Sequence, residues 1–263
     1  MASQAPTQLP MLYNDLEPLN RNVHGNFKVR RTGGIAAIST VHAVPLTVDE
    51  FSLAQRHYPI VFSLGDNPVP LALMGLHEGT NTFFDAEGVL LEPNSYVPAY
   101  LRRYPFLLAR VREDSDELSL CFDPTSDAIG EMDEGEPLFD GEEPTATTQA
   151  ILQFCEQFEQ AGQRTSAFLE DLKGLDILMD GEVAIQPEGA TQPAVYRGFQ
   201  MVDEEKFRNL RGDELRKLNQ SGALPLIMAH LFSLSVIREI FGRQVNQGTG
   251  PDINQLMAAP AEA

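Results

Sequence analysis

Cysteine, basic residues and uninterrupted apolar runs are all scarce in this 263-residue chain, and each scarcity removes a class of protein. Only Cys121 and Cys155 occur, with no C-x-x-C spacing. They are too few for a secreted disulfide framework, so a reducing compartment and a cytoplasmic location are expected. Met1 to Leu12 has no charged leader region and no apolar run of seven or more, which gives Sec export no support. Lys and Arg number 19 against 38 Asp and Glu, a formal charge of −19. Glu113 to Glu143 holds thirteen of those acids and no base. A basic stripe able to neutralise phosphates is missing, so no nucleic-acid partner is expected, and simple attraction to an anionic membrane is equally disfavoured. The most apolar stretch, Ala223 to Phe241, is interrupted by Pro225, His230, two serines, Arg238 and Glu239. A bilayer span needs roughly 20 predominantly apolar residues, so this stretch reads as a buried helix and no transmembrane segment is expected.

What is present is a mixture of short strands and helices. Thr47-Val48-Asp49-Glu50 has capping-box spacing and predicts a short helix ending near Tyr58, because Pro59 disfavours helix in the residue before it. Ile60 to Ser63 and Leu71 to His77 then read as strands around the turn Gly65-Asp66-Asn67-Pro68. The order recurs: a helix over Tyr96–Arg103, Tyr104-Pro105, a strand Phe106–Val111, a polar turn Arg112–Asp116 and a strand Leu118–Phe122. Arg56-His57-Tyr58-Pro59 matches Arg102-Arg103-Tyr104-Pro105, which suggests two copies of a helix–strand–strand unit. Between them, Thr82-Phe83-Phe84 and Val89-Leu90-Leu91 flank a hairpin turn.

Asp123 to Pro144, acidic and rich in Gly and Pro, reads as a mobile linker or surface loop. Beyond it, Ile151, Phe154, Cys155, Phe158, Ala161, Phe168 and Leu172 recur at helical spacing, with Gly174 placed as a stop. Glu182–Ile185 and Tyr196–Val202 form a further strand pair about Gln186-Pro187-Glu188-Gly189. Asp203 caps a short helix, Asp213 begins another that ends at Gly222, and Pro225 sits early in the last. The fold class is therefore α+β: a β-rich N-terminal half with the candidate duplication, and a helical C-terminal half with an inserted strand pair. The segments divide as a flexible tail 1–12, a β-rich half 13–123, an acidic loop 124–144, a helical half 145–243 and a disordered tail 244–263.

Three segments carry a family resemblance: Tyr58-Pro59-Ile60-Val61-Phe62, the run Tyr96-Val97-Pro98-Ala99-Tyr100-Leu101-Arg102-Arg103-Tyr104-Pro105-Phe106, and Gly222-Ala223-Leu224 leading into Ala229-His230-Leu231-Phe232-Ser233-Leu234. Through them the chain resembles the bacterial SapC family over about Leu12 to Phe241. That family is distinct from the peptide-transporter permease of the same name, whose spanning helices this sequence lacks. The resemblance implies a protein associated with surface-layer function, or with genes for outer-membrane receptors and flavin-dependent halogenase-like proteins.

Candidate chemistry is sparse. His24, His42, His57, His77 and His230 fall in no H-E-x-x-H or Cys/His spacing, so no metal is expected, and no phosphate-binding glycine loop or other cofactor motif appears; Arg31-Thr32-Gly33-Gly34 lacks the helix that would make it one. His230 and Ser233 share a helical face and could form a base and nucleophile, although no orienting acid, oxyanion hole or G-x-S-x-G elbow accompanies them; the alternative is a core histidine bonded to a carbonyl. Tyr58 and Tyr104 read either as structural corners or, with Tyr96, Tyr100, Arg102 and Arg103, as a recognition surface whose Arg pair could hold a carboxylate. Asp123, Thr125, Asp127, Glu131 and Glu134 occupy EF-hand offsets, but Ala128 stands where the loop needs glycine. The functional expectation is a non-enzymatic accessory or binding protein with a protein or small-molecule partner, linked to surface-layer or outer-membrane nutrient-uptake systems. Its alternatives are an uncommon enzyme centred on His230 and Ser233, and a structural surface-layer component exported by a non-Sec route.

Overall fold

A computed structural model describes residues 9–30, 34–111, 117–187 and 191–250. In chain order the strands are β1 (Glu17–Pro18), β2 (Lys28–Val29), β3 (Ala43–Pro45), β4 (Ile60–Phe62), β5 (Pro70–Leu73), β6 (Phe106–Arg110), β7 (Leu118–Phe122), β8 (Ile129–Gly130), β9 (Glu136–Pro137), β10 (Phe139–Asp140), β11 (Glu143–Pro144), β12 (Leu178–Asp180), β13 (Val183–Ile185), β14 (Ala194–Tyr196) and β15 (Gln200–Val202). The α-helices are α1 (Arg21–His24), α2 (Phe51–Ala54), α3 (Ala99–Arg103), α4 (Ala146–Leu175), α5 (Glu204–Arg208), α6 (Gly212–Ser221), α7 (Ala223–Ser233) and α8 (Ile237–Asn246). The fold is α+β, as the sequence implies.

Five antiparallel strands in the order β12-β15-β4-β5-β3 form the main sheet. Its central strand β4 is Ile-Val-Phe and buried on both faces, which suits β-branched and aromatic side chains. Phe62 contacts Phe168 of α4 and His230 of α7, so strands and helices contribute to one core. A smaller sheet, β1-β7-β6, and a strap, β8-β2-β9, enclose a second apolar cluster of Val29, Phe106, Phe122, Ile129, Leu138 and Cys155. The 30-residue α4 is about 45 Å long at 1.5 Å per residue, enough to serve both clusters. Ile151 and Cys155 enter the smaller, and Phe158, Phe168 and Leu172 the larger.

Both Tyr-Pro steps precede a hairpin, β4–β5 and β6–β7, so the repeated order of elements is real. The environments differ. Tyr58 is fully buried and donates its hydroxyl to the Tyr96 carbonyl, whereas Tyr104 is half-buried, packs edge-on to Tyr13 at 5.2 Å and precedes a cis proline.

Several sequence expectations need correction. The acidic stretch is ordered, because Ile129 and Leu138, hidden among the carboxylates, are core residues and its backbone pairs with both sides of β2. Gly174 does not stop α4; the helix runs one residue further and Asp176 takes the left-handed conformation, φ 51°, with Lys206 bonded to both its carbonyl and its carboxylate at 2.8 Å. Aspartate is one of the few non-glycine residues that adopts this conformation at modest cost. The inserted strand pair is two ladders, β12–β15 and β13–β14, broken at Gly181, which packs against the Phe199 ring. Gln244 belongs to α8 rather than to a disordered tail: it is fully buried and its Oε1 accepts from the Leu76 N–H at 2.9 Å. The Arg112–Asp116 turn and most of the Arg31–Gly34 segment lie outside the described residues.

The run Ala223–Asn246 is long and apolar enough, with mean hydropathy 1.5, to cross a membrane by length and composition alone. Here Ala223, Ile227, Ala229 and Ile240 from it fill the main core, and it carries the buried polar residues His230, Ser233 and Gln244.

Candidate binding cleft

Glu50 fixes the helix on which the site is built. Its carboxylate is buried and accepts from the Thr47 N–H at 2.9 Å, the Thr47 hydroxyl at 2.8 Å, the Tyr96 hydroxyl at 3.0 Å and the Ala99 N–H at 2.6 Å. The capping box read from the sequence is therefore also a tertiary clamp, joining the start of α2 to the start of α3. Burial, together with this carboxylate, pushes the Tyr96 phenol up to about 12.

From α3 the chain presents Leu101, Arg102, Arg103 and then Tyr104-Pro105-Phe106 to a cleft of about 1090 Å³. One wall is Gly34–Ile38 with the hairpin residues Phe84 and Gly88–Leu90; the other includes Ala150, Ile151, Phe154 and Cys155 of α4. The first wall depends on glycine. A Cβ on Gly34 would lie 1.9 Å from the Glu87 carbonyl oxygen, and one on Gly88, at φ 75°, would lie 2.2 Å from the Ile35 oxygen. Two backbones meet there at a distance that side chains would prevent.

The charged residues of the cleft lining are Arg30, Arg102, Arg103 and Asp127, a basic balance inside a strongly acidic protein. Arg30 donates from Nη2 to the Asp127 carbonyl at 2.7 Å. Arg102 donates from Nε to the Val97 carbonyl at 3.0 Å and from Nη2 to the Tyr96 hydroxyl at 3.2 Å, and lies over the Phe154 ring. Arg103 is different: it is only 9% exposed, its guanidinium carbon lies 4.2 Å from the Phe158 ring centroid and 4.6 Å from that of Tyr100, and Nη1 is 3.7 Å from Glu159. Its Nε, among the described residues, is the one buried side-chain nitrogen or oxygen with no hydrogen-bond partner. Burial raises the Tyr104 phenol above its usual range, and it pushes the Cys155 thiol up to about 11.

The recognition surface expected from sequence is thus divided. Arg102, Arg103 and Tyr104 share the cleft; Tyr100 lines a neighbouring cavity of about 450 Å³ with Phe158 and Lys173, and its hydroxyl donates to the Met11 carbonyl at 2.7 Å; Tyr58 is sealed in the core.

His230 and Ser233 lie elsewhere and do not act on each other as base and nucleophile. Both are fully buried. The imidazole Nδ1–H donates to the Ile60 carbonyl at 2.7 Å while Nε2 accepts from the Val202 N–H at 3.0 Å. Ser233 accepts from the Ile60 N–H at 2.8 Å and donates to the His230 carbonyl at 2.6 Å, so its proton is directed away from the ring. The pair secures both backbone groups of Ile60 to α7, and His230 also ties β4 to β15. Neither residue lines the cleft.

The EF-hand offsets do not assemble either. Asp123 is fully buried and spends its carboxylate on the Asn14 N–H, the Thr125 N–H and the Thr125 hydroxyl, while Ile129 turns inward as β8. Among the described residues, no three His, Cys, Asp or Glu side chains are grouped to hold a metal ion. Sequence reasoning found Arg103 but missed the parts played by Arg30, Gly34, Gly88 and Phe154, which come from three separate segments with no shared local motif.

A protein-family model described as SapC matches residues 19–240. No curated protein and no solved structure matches the chain.

Proposed function

The chain belongs to the SapC family, and we propose that it is a non-enzymatic accessory protein that binds its partner in the Arg103 cleft, in the service of surface-layer or outer-membrane uptake systems. The observation that carries this reading is the cleft itself: a largely apolar recess of small-molecule size whose lining includes Arg30, Arg102 and Arg103. Binding sites have this form, mostly apolar with a few fixed polar groups. No histidine is among the lining residues, and burial holds the Cys155 thiol protonated at neutral pH, so neither supplies a ready base or nucleophile.

The test uses native mass spectrometry and thermal denaturation on full-length protein from its own host, beside Ala150→Trp. Ala150 is exposed at the cleft wall, so the larger side chain can occupy the recess without entering the core. A bound species that raises the melting temperature and is lost in Ala150→Trp supports the reading. Ligands that bind equally well to both proteins would overturn it, as would a native preparation and a compound library that show no cleft-dependent binding.

A further inference from the structure

The exposed member of the arginine pair, Arg102, narrows the ligand class, and this step rests on the binding reading above. Its guanidinium is fixed against the cleft wall: Cζ lies 5.1 Å from the centroid of Phe154 and Nε donates to the Val97 carbonyl at 3.0 Å, and all three residues line the cleft. Nη2 donates to the Tyr96 hydroxyl at 3.2 Å, whose own proton goes to the buried Glu50 carboxylate at 3.0 Å. These bonds use the side of the fork formed by Nε and Nη2. The terminal edge, with one N–H from each of Nη1 and Nη2, stays open on an exposed residue. In a chain with 38 acids to 19 bases, no carboxylate among the described residues pairs with Arg102, whereas Arg21, Arg164, Arg197, Arg211 and Arg243 each have one. A guanidinium edge already held in place loses little freedom on binding and matches a carboxylate bidentately.

The rest of the lining sets the rest of the ligand. Leu90, Val97, Leu101 and Phe154 are apolar, while Arg30, Tyr104 and Asp127 add polar groups. Asp127 and a net charge of −19 disfavour a second negative charge on the ligand. One carboxylate, apolar side chains and amide groups able to meet the polar positions together describe a peptide end. We propose that the cleft binds the free C-terminus of an apolar peptide, its carboxylate accepting two N–H bonds from the Nη1/Nη2 edge of Arg102 and its side chains lying against Leu101 and Phe154.

Isothermal titration with N-acetyl-leucyl-leucine and with its C-terminal amide isolates the carboxylate. At neutral pH the acid should bind about tenfold more tightly than the amide, the lower end of the span for a hydrogen bond to a charged group because Arg102 is exposed. Arg102→Gln should bring the acid down to the amide level, and Ala150→Trp should abolish binding of both. The comparison of acid with amide on the wild type needs no substitution, which keeps the test decisive if Arg102→Gln fails to fold. Equal affinity for acid and amide, with both lost in Ala150→Trp, would overturn the C-terminus assignment and leave the binding cleft standing. A preference for the acid that survives Arg102→Gln but is lost in Arg30→Gln would overturn it too. So would failure of both peptides where another compound class gives cleft-dependent stabilisation. Absence of any cleft-dependent ligand would defeat the binding reading as well.

Discussion

Acidification should destabilise this protein through His230, and the size of the effect can be worked from its surroundings. The imidazole is fully buried against Phe62, with Nδ1–H donating to the Ile60 carbonyl and Nε2 accepting from the Val202 N–H. Protonating Nε2 would set two donors against each other and bury a charge. Burial accordingly lowers the folded pKa from 6.5 to about 4, opposed in part by the Ile60 carbonyl. The unfolded chain takes up this proton near pH 6.5 and the folded chain only near 4, so between those values the unfolded state binds more protons and stability falls with pH. The contribution is fully present above about 6.5, declines through the window and is constant below about 4. A gap of about 2.5 pH units corresponds to about 3 kcal/mol, a large share of the roughly 5–15 kcal/mol that stabilises a typical domain. Urea unfolding from pH 7.5 to 4 should be compared between the wild type and His230→Gln. The variant should be about 2–4 kcal/mol less stable at neutral pH through lost hydrogen bonding and packing, yet its stability should fall by about 3 kcal/mol less across the window. Carboxylates titrate in both proteins and cancel in the difference. Parallel pH profiles would refute the buried-neutral assignment.

Two further predictions concern the frame of the cleft. Glu50→Gln places an amide NH₂ among four donors and should cost about 2–4 kcal/mol; calorimetry checks this, and ligand binding should weaken too because α3 loses its anchor at the Ala99 N–H. Gly34→Ala forces a Cβ onto the Glu87 carbonyl and should destabilise by about 1–3 kcal/mol, the usual range for overpacking; an unchanged melting temperature would show that the wall can yield.

Local rules made most elements legible. The capping box at Thr47, the strands at Ile60 and Leu118, the Asp203 N-cap and the left-handed Gly222 all follow from interactions within a few residues. The misreadings arose where distant partners decide. Thirteen acids between Glu113 and Glu143 suggest a solvated linker, yet the described part is held by β2, a strand over a hundred residues away from β9, and by Ile129 and Leu138, which composition alone does not distinguish. Gly174 was a plausible stop, but the left-handed position fell two residues later, where Lys206 from α5 supports Asp176. Gln244 looked like tail because its partners, Leu76 and His77, lie far upstream.

The candidate site shows the same division at the scale of one helical turn. Tyr100 and Arg103 stand three residues apart in α3 and share a face, so the ring lies on the guanidinium and both turn toward Phe158; Arg102, next in sequence, turns instead toward Tyr96 and Phe154. A cluster that looks continuous in sequence therefore splits into a buried anchor and an exposed rim residue. Tyr58 occupies the equivalent place before the first Tyr-Pro hairpin, but that hairpin lies within the five-stranded sheet, and its tyrosine is covered on all sides. The second hairpin belongs to a three-stranded sheet, and its tyrosine remains half-exposed at the cleft. Sequence supplied the residue types and the repeat; the unequal placement of the two hairpins decides which copy borders a cleft and which is core.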